Sequence, residues 1–301
     1  MTVAAIVGPT ASGKSSAALQ VLQARLGAGE SIEVVAVDAF TVYRGMDLGT
    51  AKPTPTERAR VRHHLIDVLD PDQELTVAAF QRAARDAITG VLERGATPLL
   101  VGGSGLYWRA VVDDLRFPPT DAGLRAGLEA RWSGDHVGAH AELARRDPEA
   151  ARGIAPENLR RVVRALEVIE LTGERFSSYR TAWDRYDSVW PGLRVGYLEP
   201  PAAVLRERIR LRAEQMVADG LVEEARSLRE AGPLSRTAAQ AIGYAEAFAV
   251  LDGTAEGSEL ASAIATRTWR YAKRQRSWFR ADPRCVRADA DAVVAALGAA
   301  G

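Results

Sequence analysis

The chain has 301 residues with 39 lysines plus arginines against 39 aspartates plus glutamates, a formal net charge of +0, so no global field steers it to nucleic acid or membrane. Its hydrophobic content of 47% supports one large core or two ordinary ones. The single cysteine, Cys285, excludes an intramolecular disulfide and agrees with a reducing, cytoplasmic setting, and no apolar run approaches membrane-spanning length. Residues 3–7 read as a buried strand, 8–15 as a Gly-x-x-x-x-Gly-Lys-Ser phosphate loop, and 16–26 as a helix. Residues 31–37 form a second apolar run ending at Asp38. Residues 76–94 have helical spacing with Thr76 as N-cap, and 97–101 give a third strand running into Gly102-Gly103-Ser104-Gly105. This rhythm predicts an α/β fold, a parallel sheet with helices on both faces, whose strand ends bring the loop, Asp38 and residues 102–105 to one crevice.

Phe117-Pro118-Pro119-Thr120 breaks the rhythm, and residues 121–189 read as helices without a strand; 158–171 is the clearest, apolar on one face and arginine-rich on the other. A strand at 193–198 returns to the sheet, followed by helices at 202–231, 238–251 and 260–280. The expected organisation is a phosphate-loop core in two parts, 1–112 and 190–301, around a helical insertion at 113–189.

In the loop, Gly8, Pro9, Thr10, Ala11, Ser12 and Gly13 would curl so that backbone N–H groups converge on an anion at a helix N-terminus. Lys14 would reach a terminal phosphate and the Ser15 hydroxyl would ligate Mg²⁺. Only three basic residues are lysines, Lys14, Lys52 and Lys273, which marks Lys14 first as a place needing a compact ammonium. Asp38 has three readings: Mg²⁺ held through water, a base taking a proton from a nucleophile, or a turn cap. The third strand ends without a carboxylate, which speaks against an ordinary ATPase. Residues 267–280 hold six lysines or arginines and no acid, interleaved with Trp269, Tyr271, Trp278 and Phe279. On a neutral protein this is a local footprint for nucleic-acid phosphates, with the aromatics expected as core anchors rather than base-stacking groups. Arg208 and Arg212, one helical turn apart, would clamp a phosphate opposite the loop. The Arg160, Arg161, Arg164 face forms a further basic run. His63-His64 lacks partners at metal-ligand spacing and reads as structural or substrate-proximal.

These residues resemble one family, the tRNA dimethylallyltransferases or isopentenyl-tRNA transferases, over nearly the whole chain. The resemblance is carried by Gly8–Ser15, by Asp38 to Tyr43 with Arg44-Gly-Met-Asp-Leu-Gly-Thr-Ala-Lys-Pro53, and by His63-His-Leu-Ile-Asp67. It continues through Gly102-Gly-Ser-Gly-Leu-Tyr107, Arg160 to Val168, Gln240-Ala-Ile-Gly-Tyr244 and Ala272-Lys-Arg-Gln-Arg-Ser-Trp278. It implies transfer of a dimethylallyl group from dimethylallyl pyrophosphate to N6 of adenosine 37 in the anticodon stem-loop of tRNA, by a monomeric, Mg²⁺-dependent cytoplasmic enzyme. The loop would then cradle pyrophosphate as a leaving group. Asp38 would be the base, with Thr10 and Arg212 at the reacting centre and Arg208 on the donor. By position, Asp38, Ala39, Phe40, Thr41, Ser104, Arg125, Arg160, Arg161, Arg164, Gln240, Gly243, Tyr244, Arg270, Lys273 and Arg274 would face tRNA. The chain departs from the family's Asp-Ser-x-Gln-x-Tyr element at Ala39 and Thr41, and Ser104 stands where the family often has Thr. The rival readings are an ATP-dependent small-molecule kinase, a prenyltransferase of free adenine nucleotides, and a non-catalytic RNA-binding protein.

Overall fold

The computed structural model describes residues 2–180, 183 and 185–299. The chain divides into two compact units, Met1–Val112 with Ser188–Gly301, and Asp113–Asp187. The first opens with β1 (Ala4–Val7), α1 (Lys14–Gly27), β2 (Ile32–Val37), α2 (Pro55–Arg60), β3 (His63–His64), α3 (Val77–Glu93), β4 (Thr97–Gly102) and α4 (Gly105–Val112). The second unit holds α5 (Ala122–Arg131), α6 (His136–Arg146), α7 (Pro148–Arg152) and α8 (Leu159–Thr172). The first unit resumes with β5 (Arg194–Leu198), α9 (Ala202–Ala218), α10 (Leu221–Ala231), α11 (Arg236–Ala239), α12 (Tyr244–Leu251), α13 (Leu260–Ala281), β6 (Arg287–Ala288) and α14 (Ala290–Gly298).

The six strands are all parallel, in the order β3-β2-β4-β1-β5-β6. Alternation along each strand divides the apolar residues between two cores. Ala5, Val7, Val35, Val37 and Leu100 meet Phe80, Ile88 and Trp108 on one face. Ala4, Ile6, Val34 and Leu99 meet Val21, Leu22 and Val293 on the other. Both faces are therefore covered by helices, as the unbroken apolar runs in the strands require.

Caps fix several helix starts. Thr76 accepts a hydrogen bond from Ala79 N, and Thr54 with Glu57 makes a reciprocal capping box before Pro55. The helix expected over 202–231 is two helices. Asp219 ends the first, and Gly220, at φ 99°, adopts a left-handed conformation that turns the chain into the second. The helix expected over 238–251 likewise begins only at Tyr244, because Gln240–Gly243 form a turn that separates it from α11. β3 and β6, two residues each, and the terminal helix α14 were not anticipated; two-residue strands are too short to show a period.

The second unit has its own core of Leu128, Leu143, Val162, Val163, Leu166 and Ile169. Among its described residues there is no strand. Asp121, Asp135, Asp147 and Asn158 each cap a helix start with a side-chain oxygen. The sheet unit resumes at Ser188, and Val189 N donates to Val112 O at 2.8 Å.

Candidate active site

The loop between β1 and α1 contains two left-handed residues, Ala11 at φ 60° and Gly13 at φ 97°. Such kinks turn successive N–H groups to one side and build an anion-binding concavity ahead of the helix. Lys14 folds back over the loop and donates to Pro9 O at 2.7 Å. The loop forms one wall of a cavity of about 650 Å³ that also takes in Asp38, Thr41, Lys52, Gly102, Gly103, Arg208, Arg212, Tyr271 and Gln275. The three strand ends expected to meet in one crevice do meet there. Burial first, and the Arg212 charge second, pull the Lys14 ammonium down to about 7 against the opposing pull of the Asp38 carboxylate. Burial also lowers Arg212, and Asp38 again opposes it. The cradle thus crowds two cations around one carboxylate, an arrangement that an anionic ligand would relieve.

A second, smaller cavity of about 80 Å³ lies beyond Asp38. Its walls are largely apolar: Phe40, Ile209, Ala213, Met216, Ile242 and Ile264. Thr10, Asp38, Thr50, Arg212 and Tyr271 line both cavities and so form the neck between them. Asp38 is fixed at the end of β2 by a hydrogen bond from Phe40 N to its Oδ1 at 2.8 Å. The turn after it distributes its side chains: Ala39 enters the sheet core, Phe40 the apolar chamber, and Thr41 the wall of the phosphate-loop cavity. The two residues expected to contact tRNA, Ala39 and Thr41, thus lie in different surroundings. Ala39 is buried among core side chains, and Thr41 belongs to the loop side of the neck. Burial followed by the Asp38 charge raises the Tyr271 phenol well above the ordinary value, against a smaller opposing pull from Ser104, which keeps it neutral.

Two residues at this site, Gln275 and Lys52, were given no role from the sequence. Thr10 N donates to Gln275 Oε1 at 2.9 Å and Gln275 Nε2 donates to Gly103 O at 2.8 Å, so a buried amide ties the loop to the end of β4. Lys52, its side chain 2% exposed, donates to Tyr43 O, Asp47 and Asp67. Three acceptors around one nitrogen suit an ammonium and not a planar guanidinium, so the lysine bias was the signal for it. Gln275 left only a weak mark, an uncharged side chain in a run of cations.

The basic residues sort into two classes. On α13, Arg270, Lys273 and Arg274 are exposed along one stripe, Arg274 lying 5.7 Å from the Tyr271 ring. Arg267 is tied to Glu246 and Gln240 O, and Arg276 and Arg280 to the buried Glu199. Burial alone would raise Glu199; hydrogen bonds from Arg280, Tyr197 and Arg276 hold it at about 2. In the second unit Arg125 and Arg164 both bond Glu167, which is fully buried, and Arg164 also caps Pro118 O and Pro119 O. Arg160 and Arg161 stay exposed. Arg125 and Arg164 thus neutralise an internal carboxylate, a task the sequence did not reveal. Tyr244, expected to face tRNA, is fully buried; its hydroxyl donates to Glu224 and accepts from Gly49 N at 3.2 Å. Gly243 N is occupied by Glu246 at 2.7 Å, whereas Gln240 is exposed and Ala241 and Ile242 line the apolar chamber. Arg208 is exposed at the rim of the loop cavity. His63 is bonded to Val61 O at 2.9 Å and His64 to Glu33 at 2.6 Å. Among the described residues no helix is long and apolar enough to cross a membrane.

The chain is 51% identical to the tRNA dimethylallyltransferase of Kineococcus radiotolerans, over 93% of this chain and 88% of that one. It is 49% identical to that of Streptomyces coelicolor, over 94% and 88%. A crystal structure of the tRNA isopentenylpyrophosphate transferase from Bacillus halodurans superimposes with a TM-score of 0.70 at 39% identity, covering 99% of this chain and 94% of that one. A eukaryotic dimethylallyltransferase acting on tRNA superimposes with a TM-score of 0.79 at 25% identity, covering 96% and 74%. The model of the IPP transferase family matches residues 41–282. That match begins after the phosphate loop and Asp38 and covers most of the chain, and with the identity to the relatives above it shows that the chain belongs to the IPP transferase family.

Proposed function

We propose that this chain transfers a dimethylallyl group from dimethylallyl pyrophosphate to N6 of adenosine 37 in tRNA. Family membership and similarity over nearly the full length make it a tRNA-modifying prenyltransferase. The observation that supports the finer reading is the neck at Asp38, between a cationic phosphate cradle and an apolar chamber. An alkyl transfer needs its electrophilic carbon between leaving group and nucleophile. Pyrophosphate in the cradle and adenine in the chamber would put C1 of the donor at that neck.

In the transfer, the C1–O bond to pyrophosphate breaks and the N6–C1 bond forms, while the N6 proton passes to the Asp38 carboxylate. Charge grows on the departing pyrophosphate. Lys14, Arg212 and the loop N–H groups, in the wall of the same cavity, would neutralise it. Thr10 sits at the neck and borders both partners. The Ser15 hydroxyl, exposed in the cavity wall, is an oxygen ligand that would suit a hard cation such as Mg²⁺. If Ser15 holds Mg²⁺ there, the ion would supply Lewis-acid neutralisation of the leaving group. The apolar walls of the chamber would disfavour water beside the allylic electrophile and so protect it from hydrolysis. The exposed Arg270, Lys273 and Arg274 stripe and the exposed Arg160 and Arg161 would meet tRNA phosphates. The target base has to leave its stack to enter the chamber.

The test is direct. Purified protein is incubated with Mg²⁺, dimethylallyl pyrophosphate and unmodified tRNA, with a parallel reaction containing ATP, and the digested nucleosides are weighed by mass spectrometry. A prenyl increment on adenosine without ATP is expected. No increment, with ADP formed in the parallel reaction, would replace this reading with a kinase.

A further inference from the structure

α13 carries two opposed faces. One is the exposed basic stripe; the other enters the site, with Tyr271 at the neck and Gln275 one helical turn further on. Gln275 is only 3% exposed, and its amide uses both of its ends. Its oxygen accepts from the backbone N–H of Thr10, inside the phosphate loop, and its nitrogen donates to the carbonyl of Gly103, at the end of β4. These partners lie 265 and 172 positions away in sequence. The fit is tight: a Cβ at Gly103 would stand 2.6 Å from the amide nitrogen, 2.9 Å from Gly8 O and 3.5 Å from Lys14 Nζ. Gly103, Gly8, Lys14 and Gln275 therefore converge on one spot under the cradle.

An amide is a poor choice for a buried helix face unless both of its ends are needed. Methionine would fill the space at lower desolvation cost. Glutamate would accept from Thr10 N–H but, when ionised, would set a charge against the Gly103 carbonyl. Glutamine donates and accepts at this length without charge at any pH, which glutamate does only when protonated. Thr10 N–H is thereby held by the protein, so Gln275 sets where the Thr10 side chain stands at the neck. We infer that Gln275 is a positioning residue for prenyl transfer, holding Thr10 and Gly103 in register so that cradle and neck keep one geometry. This rests on the functional reading above and adds a residue that acts through Thr10 rather than on substrate.

Steady-state transfer by Gln275→Met and Gln275→Glu, with dimethylallyl pyrophosphate and unmodified tRNA, tests it. Gln275→Met is expected to lose about 10- to 100-fold in kcat, with KM for tRNA within about twofold, because a displacement near 1 Å at a reacting centre costs that much. Gln275→Glu adds a readout that a merely structural residue would not move. Protonated, its carboxyl donates to Gly103 O as the amide does; ionised, it cannot. The ratio of its kcat to wild type is expected to fall as pH rises, while the ratio for Gln275→Met stays flat. Lys14, Asp38 and Arg212 are shared with wild type and cancel in the Gln275→Met ratio; in Gln275→Glu the carboxylate beside Lys14 favours its charged form to higher pH, which opposes the expected fall and cannot produce it. Both variants within twofold of wild type, or a flat ratio for Gln275→Glu, would overturn the inference. Should Gln275→Met not fold, Gln275→Glu decides alone. A wild-type chain that prenylates no tRNA would sink the functional reading instead. Calorimetric titration with inorganic pyrophosphate would then still decide the role of Gln275 at the cradle: about tenfold weaker binding by Gln275→Met supports it, and equal affinity overturns it.

Discussion

The phosphate cradle and the apolar chamber meet at Asp38, yet they are built in opposite ways. The cradle comes from consecutive residues, Gly8–Ser15, whose backbone N–H groups would do the binding. The chamber gathers Phe40, Gly49, Ile209, Met216, Ile242 and Ile264 from separated segments, and side chains make its walls. A site made of local backbone leaves a contiguous motif; a site made by tertiary packing leaves scattered apolar residues that look like core. The two halves should also fail differently. Damage to the cradle changes how the donor is held, damage to the chamber changes how the acceptor is held, and damage at the neck stops transfer with both still bound.

The largest effect belongs to the neck. Asp38→Ala is expected to lower the rate of single-turnover transfer by about 10²–10⁴-fold, the range of a general base, while pyrophosphate and tRNA still bind. Normal turnover would remove Asp38 as base and collapse the distinction between neck and walls.

Next comes the cradle. Lys14→Ala is expected to weaken pyrophosphate binding by about 10- to 100-fold, as loss of a charged hydrogen bond does, with tRNA affinity unchanged. Wild type carries a pH signature as well. Lys14, held at about 7, is charged below that value and neutral above it, and an anionic ligand favours the charged form. Pyrophosphate affinity should therefore fall as pH rises above 7, and binding at pH 8 should take up a proton. Calorimetry in buffers of different ionisation enthalpy reads that uptake, which Lys14→Ala should abolish. Binding without uptake would place another group in charge of the cradle.

The arginines show why part of the molecule was legible from sequence and part was not. The sheet, the loop, Asp38 and the helical stretch after residue 120 have local signatures: apolar runs, a fixed spacing, a Pro-Pro break. Function within a basic run has none. Arg160 and Arg164 share a helix and a composition, yet one is exposed and the other serves the buried Glu167, 46 residues from its further partner at Pro118. Burial, the Arg125 and Arg164 bonds and Asp121 N compete at that carboxyl, and the bonds win, holding it below its ordinary value. α13 divides likewise, Arg270, Lys273 and Arg274 in the open and Arg276 and Arg280 on Glu199. Tyr244 misled for the same reason, since a motif marks a residue as required without saying whether substrate or fold requires it. The break at Gly220 was missed because the helical pattern resumes at once on its far side.

That division makes the third prediction. Replacing Arg270, Lys273 and Arg274 together by Gln should weaken tRNA binding and flatten its salt dependence, each lost phosphate contact reducing the slope by about 0.7–0.9, with thermal stability near wild type. Arg276→Gln should do the reverse, lowering the melting temperature by leaving Glu199 short of a partner and sparing the salt slope. Filter binding across a salt series, with a melting curve for each protein, separates the two classes. An unchanged slope in the triple variant would take α13 out of the RNA interface.

The smallest effect lies in the wall of the chamber. The Tyr244 hydroxyl stands between the Glu224 carboxylate, to which it donates, and Gly49 N, from which it accepts. Glu224 also accepts from Asp47 N and Leu48 N at 3.2 and 3.1 Å, so one buried tyrosine and one carboxylate hold the loop that carries Gly49 and Thr50 to the chamber and neck. Tyr244→Phe removes a single oxygen and leaves the ring in place. Gly49 N–H then loses its acceptor, at a cost of about 1 kcal/mol, or a melting shift of about 2–4 °C for a unit of this size. Because Glu224 keeps its bonds to residues 47 and 48, the loop should loosen rather than detach. KM for tRNA should rise slightly, and pyrophosphate affinity should not move. A change confined to pyrophosphate would mean that the loop serves the cradle instead, and the division of the site at Asp38 would have to be redrawn with Thr50 on the donor side.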